Sequence, residues 1–284
     1  MNYRHAFHAG NFADVHKHTV LARILVHLKL KPAPFRVIDT HAGAGRYDLV
    51  GPEASRSGEW HQGIECIWRA RPSGGLGAFL SPYVDVVAAF NADGKLATYP
   101  GSPLIAARLL RPQDRLIACE VEPRSSALLV AALCGDKRAK ALAIDGWTAL
   151  GAYVPPKERR GLVLIDPPFE EEADFTRLAN VVAAAHRKWP TGIYCLWYPI
   201  KRRDAPDALA RRLQRLGLPN MLRSELTLGP PHADAGLVGS GLIIINPPFT
   251  LEPDLQGFMP MLGKLLSPRA VSRTDRLKEH PPDR

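Results

Sequence analysis

Gly161-Leu162-Val163-Leu164-Ile165-Asp166-Pro167-Pro168-Phe169 is the stretch on which the fold turns. Residues 162–165 are continuously apolar and branched, which reads as a strand buried on both faces, the habit of a parallel sheet. Pro167 and Pro168 lack an N–H and fix φ, so the strand stops and a stiff, extended loop must follow. In an open α/β sheet such a loop lies at the carboxyl edge, where ligands bind. The loop carries a carboxylate, a proline carbonyl and a flat ring. That set suits a planar base with an exocyclic amine: two acceptors for its N–H groups and a face to stack on.

Working outward, the chain alternates strands and helices. Apolar residues Val20, Leu21, Ile24, Leu25 and Leu28 recur at helical spacing over residues 13–30, and Pro32 and Pro34 end that helix. Strands are expected at 35–39, 116–119, 141–144, 162–165, 193–197, 222–228 and 242–245, with helices near 125–133, 175–186 and 205–216. This rhythm predicts an α/β fold with a doubly wound, mostly parallel Rossmann-like sheet. A long crossover separates the first two strands. Helical patches at 64–68 and 84–90 and the loose segment Pro72-Ser73-Gly74-Gly75 make it a helical insertion on the sheet. The expected organisation is therefore residues 1–48 (arm, first helix, first strand and glycine turn), 49–98 (helical insertion subdomain) and 99–266 (remainder of the domain). Residues 267–284, charged and without periodicity, read as a disordered tail.

The 284 residues are 46% hydrophobic, enough for a packed core, and carry a formal net charge of +9. Such a charge points to a polyanionic partner without separating RNA from DNA. Cys66, Cys119, Cys134 and Cys195 are scattered with no C-x-x-C spacing, which speaks against a zinc site or disulfide scaffold and for a reducing compartment. No apolar run reaches the ~18 residues that span a bilayer, and the start of the chain has no signal-peptide core. A soluble, cytoplasmic protein without membrane contact is expected.

The first strand ends in Asp39-Thr40-His41-Ala42-Gly43-Ala44-Gly45, where glycines let backbone approach a ligand closely. Asp48 stands where the dinucleotide fingerprint has its third glycine, so this is not that motif. Glu120 ends the next strand, where an acid commonly binds the two hydroxyls of an adenosine ribose. Asp145-Gly146 follows the strand after, where a carboxylate can accept from an adenine amine. Each of these reads equally as a turn or helix cap when taken alone. With Asp166 they describe a site for S-adenosyl-L-methionine, which has no phosphate to cradle, rather than for NAD.

Tyr3-Arg4-His5-Ala6-Phe7-His8-Ala9-Gly10-Asn11 with Asp14 and Lys17-His18, then 39–47 and Tyr99-Pro100-Gly101-Ser102-Pro103-Leu104, resemble the RlmJ family. Those are bacterial methyltransferases that modify an adenine amino nitrogen in large-subunit (23S) ribosomal RNA. The resemblance runs from residue 3 to about residue 250. It implies that His18, His41, Ser102, Glu120, Asp145 and Gly146 line the cofactor site, that Asp166 is the catalytic acceptor, and that Tyr3 lies near the target base. The family motif commonly ends in Tyr where this chain has Phe169, so stacking is kept and a phenol hydrogen bond is lost.

The expected chemistry follows. An adenine amine is a poor nucleophile, and hydrogen bonds to Asp166 and the Pro167 carbonyl would turn its lone pair toward the methyl group. The Asp166 carboxylate stabilises the positive charge that develops and can take the departing proton. Phe169 offers the extruded base a stacking face worth ~1–3 kcal/mol. A second run, Asn246-Pro247-Pro248-Phe249, copies the motif with an amide that cannot carry a proton away, so Asp166 is preferred. His5, His8, His16 and His18 are crowded but lack evident further ligands, and no metal is expected. Tyr3 and Arg4 read as an arm over the base or as a frayed end. Lys201-Arg202-Arg203 with Arg211, Arg212, Arg215 and Arg223 read either as an RNA-backbone contact or as a solvated helix face. Arg159-Arg160, just before the strand that ends in Asp166, read as better placed for phosphates near the active site, and the tail arginines Arg269, Arg273 and Arg276 as a source of nonspecific affinity. The reading is a monomeric, S-adenosylmethionine-dependent 23S rRNA adenine-N6 methyltransferase. Its rivals are a DNA adenine-N6 methyltransferase and a non-catalytic RNA-binding ribosome assembly factor.

Overall fold

The computed structural model describes residues 4–171, 173–229 and 236–278. Asn11 caps the first helix, α1 (Phe12–Lys29), by accepting from the backbone N–H groups of Ala13 and Asp14. The chain then forms β1 (Arg36–Asp39) and a short strand β2 (Arg46–Asp48), followed by α2 (Pro52–Ser57), α3 (Ile64–Ala70) and α4 (Gly74–Ala89). Next come β3 (Thr98–Pro100), α5 (Ser102–Leu109), β4 (Arg115–Cys119), α6 (Pro123–Leu133), β5 (Ala139–Leu142) and α7 (Gly146–Tyr153). The second half holds β6 (Gly161–Ile165), α8 (Ala173–Lys188), β7 (Ile193–Ile200), α9 (Asp204–Arg215), β8 (Met221–Thr227), β9 (Gly239–Ile245), α10 (Leu251–Leu266) and β10 (Val271–Leu277).

Eight strands form one sheet in the order β10-β8-β9-β7-β6-β1-β4-β5. From β5 to β7 all pairings are parallel, and β9, β8 and β10 add an antiparallel wing. From β1 the chain steps to β4 and β5 on one side and then crosses to β6 on the other. The carboxyl ends of β1 and β6 therefore flank the switch point, where such sheets open a crevice. β2 and β3 pair antiparallel as a separate ribbon, which brackets the 49–97 segment between them.

Helix α1 explains how that segment attaches. It is buried almost all round, from Val15 and Val20 to the polar Asp14, His16, Lys17, His18 and Thr19. One side meets the sheet and the other meets the insertion. Ile64, Ile67, Phe79, Leu80 and Tyr83 join α1, α5 and the sheet in one apolar cluster, so the insertion shares the main core. At roughly 25 cal/mol per Å² of apolar surface, that shared burial anchors it far better than its short tethers would.

Three expectations need correction. Residues 271–277 are not a disordered tail: they pair with β8 along its whole length. Their charged, exposed side chains hide the strand from a hydropathy reading, yet such charges are what an edge strand needs to resist further pairing. Arg223 donates twice to Asp275 across this pair, at 2.9 and 2.8 Å. The strands read at 222–228 and 242–245 run antiparallel to their neighbours, which apolar pattern alone does not specify. Gly74 and Gly75, read as loose, open α4 behind Ser73.

Candidate active site

A cavity of about 250 Å³ opens at the carboxyl ends of β1, β4 and β6. Among its lining residues are His18, His41, Gly43, Ser102, Glu120, Gly146, Asp166 and Pro167, with Arg4 at its mouth. The structure thus gathers most of the residues picked from sequence. Two lie apart from the cavity, and Tyr3 lies outside the described residues. Asp145 is not part of the lining, and its Oδ2 caps α7 by accepting from the Thr148 N–H and hydroxyl, both at 2.9 Å. The Phe169 ring is 9% exposed and packs on Phe175 at 4.5 Å and Trp197 at 5.9 Å, so it presents no open stacking face here.

Two glycines form the cradle. At Gly43 φ is +62°, and a Cβ would sit 2.2 Å from the Tyr47 hydroxyl. At Gly146 a Cβ would come within 2.2 Å of the Thr40 carbonyl and 2.7 Å of the His41 ring. Both absences keep backbone close to whatever fills the crevice. Glu120 is locked in place because Oε2 accepts from the Gly43 N–H at 2.9 Å and Oε1 from the Glu122 N–H at 2.8 Å. Each oxygen keeps a further lone pair, enough for a ribose diol.

His41 is oriented by its neighbour. The Thr40 hydroxyl donates to the Leu164 carbonyl at 3.0 Å, so it accepts from His41 Nδ1–H at 2.7 Å. That leaves Nε2 as a bare acceptor. Burial pushes His41 down to about 4, and His18, bonded to the Tyr99 hydroxyl at 2.7 Å, down to about 3. Both rings are neutral at physiological pH. Asp39, 1% exposed at the end of β1, has no well-formed hydrogen bond to either carboxylate oxygen. Burial drives its carboxyl up to about 7, tempered by the Ser102 hydroxyl. The donor set fits S-adenosyl-L-methionine: an acid for the ribose, neutral rings, a tight glycine cradle and acids that favour a cationic ligand.

The centre of the site was not assigned from sequence. Lys17, 4% exposed at its side chain, bridges Asp14 Oδ1 at 2.9 Å and Asp166 Oδ2 in a shorter contact. Burial alone would push Lys17 toward neutrality, but Asp14 and Asp166 outweigh it and hold the ammonium charged. Burial would likewise raise Asp14; His5, Lys17 and His18 overcome it and hold the carboxylate well below its usual range. Asp14 Oδ2 also accepts from the Gly10 N–H at 2.9 Å and contacts His5 Nε2 at 3.0 Å. Lys17 and Asp166 line the cavity, and Asp14 lies buried behind them. The available signal was an Asp-x-x-Lys pair on the polar side of an otherwise apolar helix, which reads as a surface ion pair until the insertion covers it.

Trp197 packs behind the cluster, its ring 5.6 Å from Lys17 Nζ. Its Nε1–H donates to Ser240 Oγ at 3.0 Å. The Ser240 hydroxyl also contacts His16 Nδ1 at 3.0 Å, and Ser224 Oγ contacts His16 Nε2 at 3.0 Å, so both ring nitrogens have partners. His5, His8, His16 and His18 thus have separate partners, and no metal-binding group of side chains occurs among the described residues.

The second motif lies elsewhere. Because β9 runs antiparallel, Ile245 pairs with Tyr194 near the start of β7, which puts Asn246 at the amino edge of the parallel strands. Its Nδ2 donates to the carbonyls of Pro190 at 2.7 Å and Gly192 at 2.9 Å, and Phe249 is 78% exposed.

Residues 32–276 match the family described as "Ribosomal RNA large subunit methyltransferase D, RlmJ". The chain is 44% identical over 268 residues to Ribosomal RNA large subunit methyltransferase J of Escherichia coli, covering 94% of this chain and 95% of that protein. It is 40% identical to the protein of the same name from Haemophilus influenzae, covering 95% and 96%. Protein LPL1258 from Legionella pneumophila superposes with a TM-score of 0.88 at 33% identity, covering 94% of this chain and 98% of the other. No helix of the described residues is long and apolar enough to cross a membrane. The chain belongs to the ribosomal RNA large subunit methyltransferase J family.

Proposed function

We propose that this protein methylates the N6 amino group of an adenine in 23S ribosomal RNA, in the cytoplasm, using the cavity at the β1–β6 switch point. The observation that carries the reading is the Asp14–Lys17–Asp166 cluster, which fixes a carboxylate at the mouth of the crevice. Glu120, Ser102, His18, His41 and Gly146 would hold S-adenosyl-L-methionine, with Gly43 shaping the turn against it. When bound, that cofactor supplies an electrophilic methyl carbon on a sulfonium.

The remaining work belongs to the chain. Lys17 occupies Asp166 Oδ2 and so directs Oδ1 toward an incoming amine. Oδ1 accepts one amine N–H and draws the nitrogen toward tetrahedral geometry, which frees its lone pair. As the N–C bond would form and the methyl–sulfur bond break, positive charge would grow on nitrogen, and the Asp166 carboxylate beside it would stabilise that charge. Asp166 then takes the proton lost from nitrogen and passes it to solvent. Asp14 keeps Lys17 charged and in place, and the bond to Ser240 fixes the Trp197 ring beside it.

The test is transfer of labelled methyl to deproteinised ribosomal RNA and to DNA, with wild type and Asp166→Ala, followed by nucleoside analysis. Label in N6-methyladenosine from RNA with wild type alone is the expected result. Label in DNA only, or cofactor binding without transfer to any substrate, overturns it.

A further inference from the structure

The basic run that follows β7 divides into two places once folded. At the carboxyl edge, Ile200, Gly239, Thr227 and Val271 stand in one row across the antiparallel wing. Three strand spacings put Ile200 and Val271 roughly 14 Å apart. Lys201 and Arg202 leave this row on one side, and Arg269 enters it on the other; all three are exposed. Arg202, its side chain 83% exposed, has only a 3.5 Å contact to exposed Asp204, and Lys201 and Arg269 have no ion pair among the described residues. Arg203 is different: buried Glu225 and Asp207 hold it at 2.8 and 2.6 Å, which anchors the turn and leaves its neighbours outermost.

Register also places this rim relative to the chemistry. Ile165 pairs with Leu196, so Asp166 is level with Trp197, and β7 continues to Ile200. Lys201 therefore stands roughly 13 Å beyond the level of Asp166. That offset suits a strand backbone passing above a base extruded into the site. The start of α8, which packs beside α9, is acidic: Glu170, Glu171 and Asp174 follow the Asp166 loop and repel phosphate, which turns the backbone toward the Arg269 side of the rim. By contrast, α9 runs from this edge back across the sheet, and its exposed Arg211 and Arg215 are carried away from the rim, with Arg215 near β8's start at the amino edge.

Resting on the rRNA reading above, we infer that the rim formed by Lys201, Arg202 and Arg269 holds the phosphates flanking the target adenine, and that the α9 arginines do not. The two groups carry like charge, so position alone separates them. Binding of in vitro transcribed 23S rRNA, followed by filter retention across a salt series, tests this with Lys201→Ala/Arg202→Ala against Arg211→Ala/Arg215→Ala. Thermal melting checks that both remain folded. The rim pair should weaken binding about tenfold and flatten the log Kd–log salt slope by about 1.5, as expected for two lost phosphate contacts. The α9 pair should stay within twofold with its slope unchanged. Equal losses from both pairs, or none from the rim pair, overturn the assignment. Because retention is read without turnover, a wild type that binds through the rim but makes no N6-methyladenosine would sink the methylation reading and leave the surface standing.

Discussion

Ile165-Asp166-Pro167-Pro168-Phe169 and Ile245-Asn246-Pro247-Pro248-Phe249 differ at one position and have opposite fates. Both follow a buried apolar strand, and both place a residue in the left-handed region, Phe169 at φ 50° and Asn246 at φ 54°. One opens on a crevice, its acid gripped by a buried lysine. The other closes the amino edge, its amide spent on two carbonyls. Strand direction makes the difference. β6 runs with its neighbours and delivers its loop to the switch point, whereas β9 runs against β7 and delivers its loop to the far side. The shared motif ends each strand, but the left-handed residue stands last in one loop and first in the other, so the sheet decides both the turn and what it faces.

The comparison is easiest to break at its first position. Asp166→Asn makes the first motif a copy of the second and should lower kcat by 10³-fold or more, since it removes both the acceptor for the proton and the charge facing nitrogen. Single-turnover methyl transfer measures this, and a loss under tenfold would mean that strand position matters more than the acid.

Lys17→Met probes the part that the Asn246 site lacks. It strands Asp14 and Asp166 together without their cation, and should cost about 3–5 kcal/mol in urea melts as well as activity. Adding Asp14→Asn should return part of the stability. If the single variant melts like wild type, the buried cluster does not hold this end of the molecule together.

Acid should also act on the first end before the second. His16, His18 and His41 are neutral and buried, with values near 3, 3 and 4 against an ordinary 6.5. Their contribution is complete above pH 6.5 and is lost as pH falls toward those values, because the unfolded chain binds the protons first. Asp39 works oppositely: raised to about 7, it favours the fold below pH 3.8 and loses that contribution as pH rises through 7. The melting temperature should therefore fall from pH 6.5 to 4, and fall more steeply in Asp39→Asn, which removes the opposing contribution. Amide exchange should show α1 and β1 opening before the 246–250 loop, and simultaneous opening would argue against a localised effect.

The smallest effect is expected at the second motif. Asn246→Ala forfeits two hydrogen bonds in a left-handed turn, about 1–3 kcal/mol, and should leave kcat within twofold. Asn246→Asp should not rescue Asp166→Ala, and any recovered methylation would mean that the two loops can exchange roles.

Much of the parallel half could be read directly. β6 is an unbroken apolar run and β1 and β4 have apolar centres behind a leading arginine, and the residues ending them, Asp39, Glu120 and Asp166, sit at a shared edge because parallel strands bring their carboxyl ends together. The antiparallel wing was less legible. β10 pairs through its backbone while its side chains alternate charge and solvent, and α10 hides behind Pro253, Gly257 and Pro260. Helix α5 follows a Gly-Ser-Pro start and was read only as a motif.

Within the site, Glu120 and Gly146 were recognisable because they stand at successive strand ends together with Asp166, a set that separate turns or caps do not explain. Lys17 was not, because an aspartate and a lysine one turn apart look the same on a wet helix and in a buried cluster. Phe169 was assigned an open face that Phe175 covers. Composition and periodicity determined that this chain builds a doubly wound sheet with an acid and two prolines at the end of its fourth main strand, since strand burial and proline geometry are properties of neighbouring residues. Tertiary structure decided which Pro-Pro-Phe loop meets the crevice, and that Lys17 reaches Asp166 across 149 positions. Strand direction and burial of charge arise between segments that no local pattern links.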